Sequence, residues 1–335
     1  MTQLLGLVLF SFVLTGISLV PFIDLLFYLK RKFEKGNIVK INSDTPIHDK
    51  LMKTDEGTPS GGGLLLIPLF ILLSLGFALF STGPNLVILL ILIFTLTSFG
   101  LLGAADDIKL ILTKRSGKFL GLGRREMFLL QIIFALIISS LLYFLVGLNN
   151  LYVPLLGNYI IDFWYIPLAA FIIVSFSNAY NISDGLDGLA AGLLAICLFA
   201  FLGISAQYLD LTLGSFIGIW IGIILAFLYF NVWPARIFLG DAGAFAFGAT
   251  LAVVGLLTGK ILAFVIIGGM FFVIVASSLL QILSKKFFQK KIFPIAPIHM
   301  YFKYMGWPEP KIVFRFWLIQ SLFAILGVWI ALLSN

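Results

Sequence analysis

The chain has 335 residues, of which 61% are hydrophobic and 11% charged, with a formal net charge of +7 and a mean hydropathy of +1.12. Soluble domains carry about 25% charged residues, so an ordinary soluble fold is excluded. The surplus of lysine and arginine follows a membrane topology, and no nucleic-acid partner is needed to explain it.

Ten apolar runs are long enough to cross a bilayer, for which about 17–25 residues suffice. They lie near 4–28, 63–80, 85–103, 127–147, 159–177, 188–207, 211–230, 242–258, 261–283 and 313–333. The fifth carries Asp162 and Pro167, and the eighth is short and rich in glycine and alanine. The first run lacks a basic leader and is followed by Lys30-Arg31-Lys32, so it is expected to be a retained helix rather than a signal peptide. With the runs placed this way, all but one of the 22 lysines and arginines fall on one side, the exception being Lys260. Positive charge marks the cytoplasmic side, which puts both termini outside. Lys285-Lys286 and Lys290-Lys291 are expected beside anionic headgroups. No linker or polar stretch is long enough to fold separately. The expectation is therefore an all-α polytopic membrane protein, with residues 1–335 as a single integral-membrane domain. The lone cysteine, Cys197, sits inside an apolar run and reads as packing.

Four polar stretches interrupt the apolar pattern, all on the cytoplasmic side. The first, Asp106-Asp107, follows the third run. Sequence neighbours do not share a helix face, so a division of labour is expected. One carboxylate would serve a metal or nucleophile, and the other would be held by a basic partner such as Lys109, Lys114, Arg115 or Arg125, or by Mg²⁺. The second stretch, Asn178 to Gly188, contains Asn178, Asn181, Asp184 and Asp187 at threefold spacing, which on a continuous helix forms one polar stripe. A single helix cap needs one such residue, so four in register read as ligand binding. Gly185 and Gly188 leave the backbone open to close approach.

The third stretch, Phe238 to Gly243, places Asp241 at a helix start, where exposed N–H groups favour phosphate. Mg²⁺ takes one or two carboxylates together with phosphate oxygens and water, and Asp241 is placed to supply one. Thr58 to Gly63, entering the second run, offers a second phosphate cradle, although a glycine run is more often a turn. The fourth stretch frames His299 between Pro294, Pro297 and Tyr301, whereas His48 has no comparable setting. Without a Cys/His cluster, Walker motif or nucleophile elbow, zinc, ATPase and serine-hydrolase chemistry lapse.

Together these segments resemble the polyprenyl-phosphate N-acetylhexosamine-1-phosphate transferases. The likeness runs over about residues 50 to 320 in conserved motif order: Gly57-Thr58-Pro59, Asp106-Asp107, Asn178–Ala190, Asn231 with Pro234-Ala235, Phe238–Gly243 and Ala296–His299. Gly306–Pro310 followed by Arg315-Phe316-Trp317 points to the peptidoglycan branch, whose donor carries a muramoyl-pentapeptide. The resemblance implies ten helices and Mg²⁺-dependent transfer of a phospho-sugar from a UDP-linked donor to a polyprenyl phosphate in the bacterial cytoplasmic membrane. It also implies a homodimer.

By that likeness Asp241 would ligate Mg²⁺, and Asp106 would deprotonate or orient the lipid phosphate with support from Asp107. Asn178, Asn181, Asp184 and Asn231 would line the cleft. Gly185, Leu186, Asp187 and Phe238 would hold the uridine, and His299 would contact the donor, with Arg125 and Thr58 as further substrate contacts. The chain departs from the family pattern in four places. His299-Met300-Tyr301 replaces a triple histidine, and Asp55-Glu56 replaces a basic residue, with Lys53 nearby. Leu110 replaces a lysine, and Arg236 and Ala244 replace the usual Glu and Ser. These bear on the donor sugar more than on the reaction, leaving a UDP-N-acetylglucosamine donor as the alternative. A transporter would place ionisable groups near the bilayer midplane, unlike the helix-end acids here.

Overall fold

The computed structural model describes residues 2–34, 57–81, 83–112, 123–154, 156–207 and 211–333. His48, Lys53, Asp55, Glu56, Lys114 and Arg115, and the side chains of Lys109 and Leu110, lie outside the described residues. In chain order the helices are α1 (Thr2–Glu34), α2 (Gly63–Phe80), α3 (Leu86–Leu112), α4 (Arg124–Leu141), α5 (Tyr165–Ser183) and α6 (Leu189–Gln207). They continue as α7 (Leu211–Asn231), α8 (Gly240–Leu257), α9 (Ile261–Ile267), α10 (Gly269–Phe288), α11 (Ile298–Tyr304) and α12 (Glu309–Leu332). Among the described residues nine helices are long and apolar enough to cross a membrane, and the shorter apolar stretch Leu189–Ser205 of α6 is the tenth. The chain is an all-α polytopic membrane protein.

α7 and α8 form the centre, each 83% buried along its most apolar window, whereas α1, at 17%, keeps most of its surface outward. The sequence of α8 explains its place. Small residues (Gly240, Ala242, Gly243, Ala244, Ala246, Gly248, Ala249) let neighbouring backbones come close, as membrane helices without a hydrophobic driving force between them require. A Cβ at Gly63 of α2 would lie 2.3 Å from the Gly243 nitrogen, and one at Gly103 of α3 would lie 2.2 Å from the Asp241 carbonyl carbon. Three helices thus meet at glycine contacts beside the acidic motifs.

Four elements differ from the sequence expectation. The fifth run begins later and ends later than 159–177. Asn150–Val153 and Gly157–Ile160 form a two-stranded antiparallel hairpin, β1–β2, with Asn150 opposite Ile160. Pro167 then falls in the first turn of α5, where its missing N–H removes no helical bond. α3 runs on to Leu112, so Asp106 and Asp107 stand in the helix itself rather than in a loop after it. α4 ends in a short π-helical turn over Leu142–Val146.

The ninth run is broken in two at Gly268. The break frees the Ile267 carbonyl and the Met270 N–H in an apolar setting, and Gln320 of α12 satisfies both. The Cys197 thiol of α6 lies against the same pair, accepting from the Gln320 amide at 3.2 Å. At the end of the bundle that carries the hairpin, the Asn85 N–H donates to Thr212 Oγ1 at 2.7 Å. Lys260 lies 3.9 Å from the centre of the Tyr152 ring.

Candidate active site

The opposite end of the bundle gathers the ends of α1, α3, α5, α7 and α10 with the starts of α2, α4, α6, α8 and α12, and there the acidic motifs meet. Asp107 is 6% exposed. Its Oδ1 accepts the Asp241 N–H at 3.0 Å and its Oδ2 accepts the Ala242 N–H at 2.9 Å. The two residues are 134 positions apart in the chain. A helix start leaves four N–H groups without intrahelical partners and carries partial positive charge, so a carboxylate there is favourable. Asp107 is therefore held by the backbone of α8; of the basic partners expected for this pair, the Lys109 side chain, Lys114 and Arg115 lie outside the described residues. Of the N–H groups at the start of α8 that were expected to meet phosphate, those of Asp241 and Ala242 already face an internal anion. Gly240, at φ +81°, makes the approach possible; a Cβ there would lie 2.6 Å from Asp107 Oδ2.

The second cradle is also corrected. The N–H groups of Gly61 and Gly62 donate to the Phe238 carbonyl at 3.2 and 2.9 Å, and that of Gly63 donates to the Leu239 carbonyl at 2.7 Å. Ser60 and Phe238 form a parallel bridge, closed by the Phe238 N–H donating to the Pro59 carbonyl at 2.9 Å. The glycines let two backbones lie side by side, and this leaves those donors facing carbonyls instead of a ligand. Phe238 is half-buried, and this pairing fixes its backbone. Thr58 Oγ1 donates to the Ala235 carbonyl at 2.9 Å, and Lys30 donates to the Thr58 carbonyl at 3.0 Å.

Asn181 Nδ2 donates to Asp241 Oδ1 at 2.8 Å, fixing that carboxylate from the side of α5. Asn178 turns instead to Gln131 Oε1 of α4, at 2.8 Å. The helical stripe ends there, because α5 stops at Ser183 and residues 184–188 form a turn with Gly188 at φ +76°. Asp184 stays with the acidic cluster. Burial, then repulsion from Asp241, Asp187 and Asp107, pushes its carboxyl up from the ordinary value near 3.8 to about 7.

Asp187 leaves the stripe, contrary to the expectation of four residues on one face. Its Oδ2 accepts the Ala235 N–H at 2.8 Å, and its own N–H donates to Glu309 Oε1 at 2.8 Å. Asn231, 2% exposed, joins the Gly188 N–H at 3.1 Å to the Ile237 carbonyl at 2.9 Å, so it braces two loops behind the cleft wall. Leu186 is buried beneath the turn.

His299, 1% exposed, reaches the same turn: a Cβ on Gly185 would lie 2.9 Å from its Nε2. Gln281 holds the loop before it, its amide donating to the Phe293 carbonyl and accepting the N–H groups of Ile292 and Phe293. Met300 is buried in the core, and Tyr301 packs its ring 5.8 Å from that of Phe293. Arg125 is exposed in the first turn of α4. The structure adds Glu309, Lys303, Gln131, Gln281 and Lys30 to the residues picked out from sequence. Only Glu309 had any signal, as part of the Gly306–Pro310 stretch.

Asp106, Asp107, Asp184 and Asp241 lie close enough to repel one another, which is the setting a cation relieves. Among the described residues no three His, Cys, Asp or Glu side chains form a complete ligand set. Beside Ala242 an apolar groove of about 420 Å³ opens between α2 and α3, lined by Ile67, Ile71, Leu75 and Leu101 among others.

The family model described as glycosyl transferase family 4 matches residues 89–259. The protein is a phospho-sugar transferase. It is 36% identical over 308 residues to the phospho-N-acetylmuramoyl-pentapeptide-transferase of Caldanaerobacter subterraneus subsp. tengcongensis, covering 92% of this chain and 91% of that protein. Against the protein of the same name from Pelagibacter ubique the identity is 37% over 330 residues, covering 92% and 87%. Against that from Oceanobacillus iheyensis it is 39% over 280 residues, covering 82% and 84%. The chain belongs to the phospho-N-acetylmuramoyl-pentapeptide-transferase family.

Proposed function

We propose that the chain transfers phospho-N-acetylmuramoyl-pentapeptide from its UDP donor to undecaprenyl phosphate, forming lipid I for peptidoglycan synthesis and releasing UMP. The site would face the cytoplasm of a bacterial inner membrane, with both termini outside, as the lysine and arginine distribution favours. The observation that carries this reading is the Asp107 clamp on the start of α8, which brings Asp106, Asp241 and Asp184 into one cleft.

Asp241, oriented by Asn181, would hold Mg²⁺ together with substrate phosphates. The ion when bound would neutralise the donor pyrophosphate and the charge that develops on departing UMP. Phosphoryl-group transfer otherwise needs positioning more than covalent help. Asp106 would orient the acceptor phosphate and take its proton. An oxygen of that phosphate then bonds to the sugar-bearing phosphorus of the donor, while the bond from that phosphorus to the bridging oxygen breaks and UMP leaves. Gly185, Leu186 and Asp187 would receive the uridine beside Phe238, with His299 against the same turn. The groove at Ala242 gives an acceptor chain an apolar path out of the cleft.

The test is UMP release by purified protein with undecaprenyl phosphate and Mg²⁺, the pentapeptide donor and UDP-N-acetylglucosamine being offered separately. Turnover with the pentapeptide donor and loss of it in Asp241→Ala are expected. Turnover with UDP-N-acetylglucosamine alone would transfer the chain to the alternative donor. Full activity of Asp241→Ala would remove the metal role.

A further inference from the structure

The turn from Asp184 to Gly188 has no regular hydrogen-bonding ladder to hold it, yet it must present a fixed edge to the donor. Two contacts reach it from the far end of the chain. His299 presses on Gly185, and Glu309 accepts the Asp187 N–H at 2.8 Å across 122 residues. Both lead to one short helix. α11 carries His299 and, one turn later, Lys303, whose ammonium lies 2.9 Å from Glu309 Oε2.

Glu309 is 8% exposed and sits in the first turn of α12, where the helix dipole favours an anion. Its two oxygens therefore have separate tasks, one on the turn and one on α11. On the other side of the turn, Asp187 Oδ2 holds Ala235 and the Gly188 N–H holds Asn231.

We propose that the Lys303–Glu309 pair is a positioning clamp, which sets the spacing between His299 and the donor-binding turn. The inference rests on the reading of that turn as the nucleotide site. Glu309 acts through the Asp187 backbone, and Lys303 acts through Glu309. The clamp thus bears on donor binding and not on the lipid acceptor, whose phosphate Asp106 of α3 would orient.

The experiment measures steady-state UMP release for the wild type, Glu309→Ala, Glu309→Gln and Lys303→Met in detergent, varying donor and acceptor separately. Glu309→Ala is expected to raise donor KM by about tenfold or more, the worth of one charge-assisted hydrogen bond, with acceptor KM within about twofold of wild type. Glu309→Gln keeps an acceptor for the Asp187 N–H but turns its NH2 toward the Lys303 ammonium, so its donor KM should fall between those of the wild type and Glu309→Ala. A donor KM unchanged in Glu309→Ala overturns the clamp. So does an equal rise in both KM values, or a glutamine variant with the wild-type donor KM, since that variant has lost the ion pair with Lys303.

Removing one partner of a buried pair is costly. Should Glu309→Ala not yield folded protein, Lys303→Met decides: a donor-selective rise in KM supports the clamp and an unchanged donor KM refutes it. Failure of the wild type itself to release UMP would sink the functional reading, a result distinct from any of these.

Discussion

Replacing Asp107 by asparagine removes half of the clamp without changing its shape. The carboxylate accepts two backbone N–H groups at 3.0 and 2.9 Å, whereas an amide offers one oxygen and turns a donor toward the other N–H. One charge-assisted bond is worth about 1.5–3 kcal/mol, and the lost interaction with the helix start adds about 0.3–1 kcal/mol. The expected loss is about 2–4 kcal/mol. For a chain of this size that corresponds to about 3–6 °C in the unfolding midpoint, compared at one scan rate because such transitions are often irreversible. Freed from its anchor, Asp241 should also shift, and a displacement near 1 Å can lower turnover by about 10²-fold. Asp106→Asn is the control. Asp106 makes no corresponding bond to α8, so it should lose UMP release while its midpoint stays within about 1 °C, the far side of that contrast being set by the same size scaling. An Asp107→Asn protein that melts with the wild type, or an Asp106→Asn protein that melts equally early, would refute the assignment of the anchor to Asp107.

The remaining expectations concern the same cluster. Gly240→Ala should destabilise the protein by about 1–2 kcal/mol from the left-handed backbone alone and also push Asp107 from α8. Combined with Asp107→Asn the two costs should therefore be less than additive in a double-mutant cycle; simple additivity would show that the side chains do not meet. In EDTA, Asp184 keeps its proton up to about pH 7 in the folded protein and releases it near 3.8 when unfolded. Folding takes up a proton between those values, so the metal-free midpoint should fall as pH rises from about 4 to 7 and then level. Asp184→Asn should flatten that slope, and an unchanged slope would place the titration elsewhere.

Much of the fold was legible because a bilayer demands long apolar runs, and those runs mark the long helices, almost residue for residue at Gly63–Phe80 and Leu211–Asn231, but not the short α11. The break at Gly268 was not legible, since glycines inside membrane helices usually signal close packing. Nor was the β1–β2 hairpin, whose short strands merge into the apolar flank of α5. The acidic motifs declared themselves by lying at helix ends. Their partners did not: the N–H groups facing Asp107 are 134 residues away, and Glu309 is 122 residues from Asp187. The glycines at 61–63 were ambiguous for a different reason. A run without side chains suits an anion and a neighbouring strand equally, and only the position of Phe238 decides between them.

Gln320 and Gly268 form a single unit although 52 positions separate them in the sequence. A helix interrupted within hydrocarbon has no water to complete its ladder, so the interruption is admissible only while the Gln320 amide stands opposite it. Restoring an unbroken helix at 268 would strand that amide among apolar neighbours, and removing the amide would strand the backbone. Neither position can drift alone, and a tolerated change at one should be found only alongside a change at the other.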